Sequence, residues 1–461
     1  MKKQLIYMMC ATALMSSCRI YSSYDRPKDI SADGLYRDTI SATGVLTSDT
    51  INFGNTPWRE VFTDPQLQAL IEKGLERNTD LQAAELTVEQ AGFAMKVSWL
   101  NYLPSLQLSP QGTISSFDKG AASKTYSLPV TANWQLDLFG SIRNANGQTK
   151  SLLLQSQAYR QAVQTQVIAG ISNAYFTLLM LDEQLSTTKE TAELWKKNVE
   201  VMREMQKAAM TNAAAVSQSE AAYHQICASI PELERSIREV ENSLSILLRE
   251  PPHAISRGKM TNQQFPNKMS AGVPLQLLSN RPDVKAAEMS LREAFYATNS
   301  AYSAFYPNIT LSGSAGWTNS AGGLITNPGK LLASAVASLT QPLFARGQLV
   351  ANLKIAQAKQ DIAKLKFEQS LLNAGQEVSN SLTQYQAAIK QAVSRKEQVA
   401  SLSKTRDYTK ELFQLGTATY LEIITAEQSL LSARLSLIND DFTRMQAIVN
   451  LYQALGGGRN N

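Results

Sequence analysis

The sequence predicts a mainly helical protein with membrane β-strands. Internally duplicated long α-helical hairpins form a tunnel, and four strands per chain contribute to a shared, twelve-stranded trimeric β-barrel. Three observations carry this prediction: the chain repeats itself at an offset of about 200 residues, each half has a long stretch without proline, and each half has runs that alternate apolar and polar residues.

The repeat is visible by eye. Asp80-Leu81-Gln82-Ala83-Ala84-Glu85 returns as Asp283-Val284-Lys285-Ala286-Ala287-Glu288, and Tyr102-Leu103-Pro104 returns as Phe305-Tyr306-Pro307. Trp134 to Gly140 has a looser counterpart in Thr340 to Gly347, and Glu220-Ala221 falls opposite Glu427-Gln428. Order and spacing hold over four stations, so the chain is read as two copies of one unit.

Each unit opens on a helix, over 65–100 in the first and 274–304 in the second. Proline is then absent between Pro129 and Pro231, and again after Pro342. A proline inside a helix costs about 3 kcal/mol, so these gaps mark long helices. One break is expected in each: Ala209-Met210-Thr211-Asn212 in the first, and Leu415-Gly416-Thr417 in the second, where Gly416 suits a helix C-terminus and Thr417 or Thr419 a following cap. A helix from Arg143 to Ala209 would be about 100 Å long at 1.5 Å per residue, and only other rods could bury it. Val378, Leu382, Tyr385, Ile389 and Ala392 are spaced for a coiled-coil seam, which Gly375 and Lys396 interrupt.

The strands are read from period two. Tyr126, Leu128, Val130, Ala132, Trp134, Leu136 and Leu138 alternate with Ser127, Pro129, Thr131, Asn133, Gln135 and Asp137. Ile309, Leu311, Gly313, Ala315 and Trp317 repeat the pattern; Leu106, Leu108 and Ile114 mark a weaker first strand, and Leu331 to Leu339 a weaker fourth. Two hairpins result, with turns at Lys119-Gly120 and Gly322-Gly323. Such strands suit the roughly 9 to 11 residues that cross a bilayer at a tilt. Four strands cannot close a barrel, and open edges are not tolerated in lipid, so copies must share one. Three copies give twelve strands and a lumen; two would give eight, whose interior fills with side chains.

The amino terminus agrees with export. Lys2 and Lys3 precede an apolar run from Leu5 to Met15, then Ser16, Ser17 and Cys18. This reads as a signal peptide over 1–17 with a lipoprotein processing box, in which Cys18 becomes the lipid-carrying first residue. Cys10 leaves with the signal, so Cys227 is the only mature thiol and no internal disulfide forms. The expected organisation is a lipidated segment over 18–64 and a first repeat over 65–273, with strand pair 104–138, helical hairpin 143–250 and linker 251–273. A second repeat covers 274–455, with strand pair 307–343 and hairpin 346–455, and a tail covers 456–461.

Composition narrows the function. With 44% hydrophobic and 18% charged residues the chain is neither a disordered polar polymer nor a bundle of membrane helices. Barrel strands leave mean hydropathy almost unmoved. The +5 charge gathers in no basic stripe, so nucleic acid is not an expected partner. Two His and three Cys leave little for metal or haem, and no Gly-x-Ser-x-Gly elbow or phosphate-binding loop occurs. No enzyme, cofactor or metal site is expected. Met202, Met205 and Met210 near the first tip are read as coiled-coil filling, and Arg281-Pro282-Asp283 as a structural helix start.

Several stations resemble the outer-membrane efflux proteins of Gram-negative bacteria, the TolC-like channels, and among them the lipoprotein branch. They are Trp58-Arg59-Glu60-Val61-Phe62-Thr63-Asp64-Pro65, Asn78-Thr79-Asp80-Leu81, Asn280-Arg281-Pro282-Asp283-Val284, Ala304-Phe305-Tyr306-Pro307 and Leu415-Gly416-Thr417-Ala418-Thr419-Tyr420-Leu421. The resemblance implies a homotrimer in the outer membrane, anchored by lipid, with a periplasmic helical tunnel. An inner-membrane pump loads the tunnel through a periplasmic adaptor docked on the hairpin tips, at Ala209, Met210, Thr211, Leu415, Gly416 and Thr417. The family's constriction, just past the second tip, pairs an apolar residue with an inward acidic one. Leu421 matches the first, but Thr425 stands at the acidic position, leaving Leu421, Thr425, Gln428 and Glu422 as gate candidates and Glu427 as a further nearby carboxylate. Small-molecule export is the expected activity. Type I protein secretion and metal efflux are alternatives within the conduit class, and a non-conducting, lipid-anchored coiled-coil spacer is the alternative outside it.

Overall fold

The computed structural model describes residues 22–27, 35, 53–116, 118, 120, 122–266, 280–318 and 330–459. The signal peptide, Cys18, Lys119 and the Gly322-Gly323 turn lie outside the described residues, as do 267–279 of the linker and second-repeat start.

The helices are α1 (Trp58–Val61), α2 (Pro65–Arg77), α3 (Thr79–Leu100), α4 (Ser141–Lys207), α5 (Ala213–Leu247), α6 (Pro282–Ser303), α7 (Gln348–Gln414) and α8 (Tyr420–Ala454). The duplication is metrical: α4 and α7 each have 67 residues, and α5 and α8 each have 35. The first opening helix, expected to be continuous, is two. Asn78 leaves the helical region at ψ 130, and its side chain accepts from the backbone N–H groups of Asp80 and Leu81, capping α3.

The strands are β1 (Ser105–Leu108), β2 (Gln111–Ser115), β3 (Ser123–Leu136), β4 (Asn308–Thr318) and β5 (Lys330–Thr340). They form one antiparallel sheet of order β1-β3-β4-β5, with β2 also on β3. The expected first strand is interrupted at Ser109-Pro110 without losing register, since Leu108 faces Val130 and Gln111 faces Ser127. Pro110 has no N–H to give, and neither does Pro129 opposite Ser109, so the ladder keeps only one bond there, from Ser109 N–H to the Pro129 carbonyl at 3.1 Å. β4 passes Pro129 closely: a Cβ on Gly316 would lie 2.1 Å from the Leu128 carbonyl oxygen.

The chain divides into two compact units. The first draws on 1–31, 86–158 and 286–369 and contains the sheet. Residues 22–27 lie against α6 there: Arg26 donates to both oxygens of Glu288 at 2.8 and 2.7 Å, and Tyr24 meets Phe295 edge-on. At the helix end of the sheet, Trp134 Nε1 donates to the Tyr102 carbonyl and Phe139 stacks on Tyr306.

The second unit draws on 32–85, 159–285 and 370–461. Its core gathers segments remote in sequence. Phe53, Trp58, Val61 and Phe62 are buried, so the end of the segment expected merely to carry lipid is packed. Phe62 meets Phe176 and Tyr452. Asp64 caps α2 and also accepts from Tyr175 at 2.6 Å and Gln263 at 2.7 Å. Arg257 spans Asp182 and Glu241, binding the linker to α4 and α5.

Arg281, only 6% exposed, joins three elements. It donates to Asp283 at the start of α6, to Glu377 of α7 and to the Ala454 carbonyl ending α8. Burial works against its charge, but the two carboxylates hold its pKa above the ordinary value. The structural reading of this motif therefore stands. Asn78, its counterpart in the first half, donates to the Leu247 carbonyl, which is the repeat equivalent of Ala454. In the expected tail Gly456, Gly457 and Gly458 are buried, and the carbonyls of Gly457 and Gly458 accept from Thr165 and Gln164.

The seam of α7 keeps the expected Val378 and Ala392 but runs through Ser381 and Ala388 in place of Leu382 and Ile389. Val378, Ser381, Ala388 and Ala392 are buried while Ile389 is exposed. Small residues thus occupy the contact, and the larger aliphatic one faces outward. Gly375, which breaks the heptads, is filled from elsewhere: a Cβ there would lie 2.6 Å from the Leu35 carbonyl oxygen.

Candidate functional site

Two regions have a chemistry that packing does not exhaust: the exposed face of the sheet and the ends of the two long hairpins.

On the sheet the register aligns apolar residues across all strands. Leu106 faces Ala132; Leu128, Val130 and Trp134 face Trp317, Ala315 and Leu311; these in turn face Leu331, Ala333 and Ala337. Leu106 is 74% exposed and Leu331 68%, with Leu108, Ile114, Trp317 and Leu339 also open. An apolar face of this breadth, ended by Lys124 opposite Ile114, is not left to water. The opposite face carries Gln107, Thr131, Asn133, Gln135, Thr310, Ser312 and Ser314, and on β5 also the exposed Val336 and Leu332. Among the described residues no helix is long and apolar enough to cross a membrane.

Both hairpin tips close alike. The N–H of Met210 donates to Met205 and that of Ala209 to Gln206; Thr417 donates to Leu412 and Gly416 to Phe413 in the same pattern. These paired bonds are Schellman closures, which place one residue in the left-handed region. That residue is Gly416 in the second tip, at φ 76, and Ala209 in the first, at φ 58. Asn212 caps α5 by accepting from Ala215 N–H. Thr419 caps α8, its N–H donating to Glu422 Oε1 at 3.3 Å and its hydroxyl at 3.0 Å. Met210 and Leu415 are strongly exposed at the tips.

Beneath the tips the two hairpins share a core of Trp195, Met202, Val216, Ile226, Tyr420, Ile423 and Ile424. Met202 is core, as expected, and Met205 packs against it, but Met210, expected to be filling as well, is exposed at the tip where the chain turns. Ser219 and Tyr420 hydroxyls bond at 3.0 Å between the hairpins; burial raises the Tyr420 pKa, opposed by that bond. Arg203 pairs with Glu220 at 2.7 Å and Lys410 with Glu427 at 2.9 Å. These are one ion pair repeated at an offset of 207, a correspondence the duplication could have revealed and sequence reading passed over.

Of the gate candidates, Leu421, Thr425 and Gln428 share one exposed face of α8, at spacings of four and three. Leu421 is 56% exposed, and the Thr425 hydroxyl donates to its carbonyl. Glu422 lies about 100° around the helix from Leu421 and is committed to the cap. Glu427 is buried against Lys410. Among the described residues no group of three or more His, Cys, Asp and Glu is placed to hold a metal.

Similarity to known proteins agrees with this geometry. The chain is 27% identical to the cation efflux system protein CusC of Escherichia coli K12, covering 97% of this chain and 98% of that one. It is 26% identical to the toluene efflux pump outer membrane protein TtgC of Pseudomonas putida, over 99% and 96%. Among solved structures, the open-state MtrE outer membrane channel of Neisseria gonorrhoeae superposes with a TM-score of 0.84 at 27% identity, covering 95% of this chain and 98% of that one. The model of the outer membrane efflux protein family matches residues 70–248 and 273–457, most of the chain in two stretches, and the chain therefore belongs to that family.

Proposed function

We propose that the protein is the outer-membrane exit duct of a tripartite efflux pump, passing small toxic molecules from the periplasm to the exterior. The observation that carries this reading is the sheet β1–β5, four strand positions wide, with a broad exposed apolar face and two open edges. Three copies close those edges into one twelve-stranded barrel, the helices line a periplasmic tunnel, and Cys18 anchors each chain by lipid. The repeats are 65–273 and 274–455. An adaptor docks on Ala209, Met210 and Thr211 and on Leu415, Gly416 and Thr417, and an inner-membrane pump supplies the energy. Leu421, Thr425 and Gln428 form the constriction, with Glu422 fixing the helix start beside it.

Relatives are described by cation, antibiotic, toluene and solvent efflux, which fits a duct whose cargo is chosen upstream. Cation efflux is the second reading, on the near full-length similarity to CusC. The test is reconstitution in planar bilayers. Wild type and Leu421→Ala are expected to conduct, the variant more; a trimer that never passes current in either form would end the conduit reading.

A further inference from the structure

We propose that the constriction carries no titratable side chain, so that it closes on apolar and neutral hydrogen-bonding groups and is indifferent to protons and multivalent cations. The inference rests on the conduit reading and on α8 supplying the constriction.

The exposed stripe of α8 that begins at Leu421 continues through Thr425, Gln428, Ser432 and Asn439. None of these ionises. The carboxylates of the same helix are held elsewhere. Glu422, exposed beside Leu421, is turned about 100° from it and bonds the Thr419 cap. Glu427, 6% exposed, pairs with Lys410 of α7. Asp440, 7% exposed, pairs with Arg395 of α7 at 3.0 Å, and Asp441 lies 3.6 Å from Arg444. Arg434 is on the opposite side of the helix by spacing.

The neighbouring elements add little charge. A groove of about 670 Å³ borders the stripe, where Gln225 and Ser229 of α5 and Arg395 of α7 meet Gln428, Ser432 and Asn439 of α8. Its ionised groups are Arg395 and Asp440, which neutralise each other. At the tip side the charged neighbour is Lys410, engaged by Glu427.

A ring of carboxylates, one or more per copy, would behave otherwise. Like charges brought close raise one another's pKa into the working range and attract multivalent cations. Removing them leaves two closing forces: dewetting at a ring of Leu421 side chains, and neutral hydrogen bonds from Thr425 and Gln428. A gate of this kind opens by mechanical displacement of α8, without a bound ion to release.

The experiment uses full-length, lipid-bearing protein in planar bilayers, with Leu421→Ala as the conducting background. Hexaamminecobalt(III) on the periplasmic side, and a pH series between about 4 and 8 spanning carboxylate titration, should change its current by less than about two-fold. Leu421→Ala combined with Thr425→Asp, and separately with Gln428→Glu, should acquire a block of roughly ten-fold or more by the same cation, with a pH profile of a carboxylate. A background current that the cation blocks several-fold, or that follows a carboxylate titration, overturns the proposal. Insensitivity of both acidic variants overturns it too, because the stripe would then lie outside the pore. Absence of current in every variant instead sinks the conduit reading on which it stands.

Discussion

Ala209 sits where its repeat partner is Gly416, in a conformation that costs an L-residue about 1 kcal/mol. Ala209→Gly should therefore raise the stability of the first tip by about 1 kcal/mol, and Gly416→Ala should lower that of the second by a similar amount. Thermal unfolding of the solubilised protein, followed by helical signal, reads both signs. Asp64 offers a pH test. Burial opposes its charge, but bonds from Tyr175, Gln263 and the backbone of Gln66 and Leu67 hold its pKa below the ordinary value. A carboxylate whose folded pKa is depressed contributes stability above its unfolded pKa of about 4 and loses it as pH falls through the folded value. Asp64→Asn should flatten the acid limb of a stability–pH curve below about pH 4 and leave its shape near neutrality unchanged; an unaltered acid limb would contradict this account.

At the scale of elements, Arg281 is the joint at which α6, α7 and the end of α8 meet. Arg281→Ala leaves Glu377 and a helix-end carbonyl without their donor and should cost about 1–3 kcal/mol, seen as a loss of thermal stability. Arg281→Lys should recover only part, since a lysine cannot reproduce the two-oxygen grip on Asp283. How far such joints were legible in the sequence depends on distance along the chain. The strands were visible because period two is a local signal, and the hairpin ends because Gly416 and the caps are local too. The break at Ser109-Pro110 needed the opposing Pro129, which only pairing brings near. The seam of α7 was legible at Val378 and Ala392 but not between them, because Leu382 and Ile389 are the apolar choices, whereas close approach of helices selects Ser381 and Ala388. The packed region joining Phe53, Trp58, Tyr175, Arg257 and Gly458 had no periodicity to announce it. Its parts come from four separate stretches, and no pattern within any one of them specifies the others.

For the whole molecule, the sheet poses a closure problem that a single chain does not solve. Residues of β1 and β2 pair on one side only, as do those of β5, and the sheet's apolar face is open throughout. Unpaired edges in a hydrocarbon layer cost several kcal/mol per group, so the edges must find each other. If β5 closed on β1 of its own chain, the result would be a barrel of four positions, too narrow to hold its side chains. Closure between copies avoids this and repeats head to tail, so rotation completes a ring. The two modes separate by cross-linking. In a Cys227→Ser background, which removes the one described free thiol, single cysteines stepped along β1 and β2 are combined with single cysteines along β5. Closure between copies requires oxidation in at least one register to yield covalent dimers and trimers in the membrane fraction. Oxidation that yields only internally bridged monomers at every register would mean that each chain closes on itself, and the shared barrel would have to be abandoned.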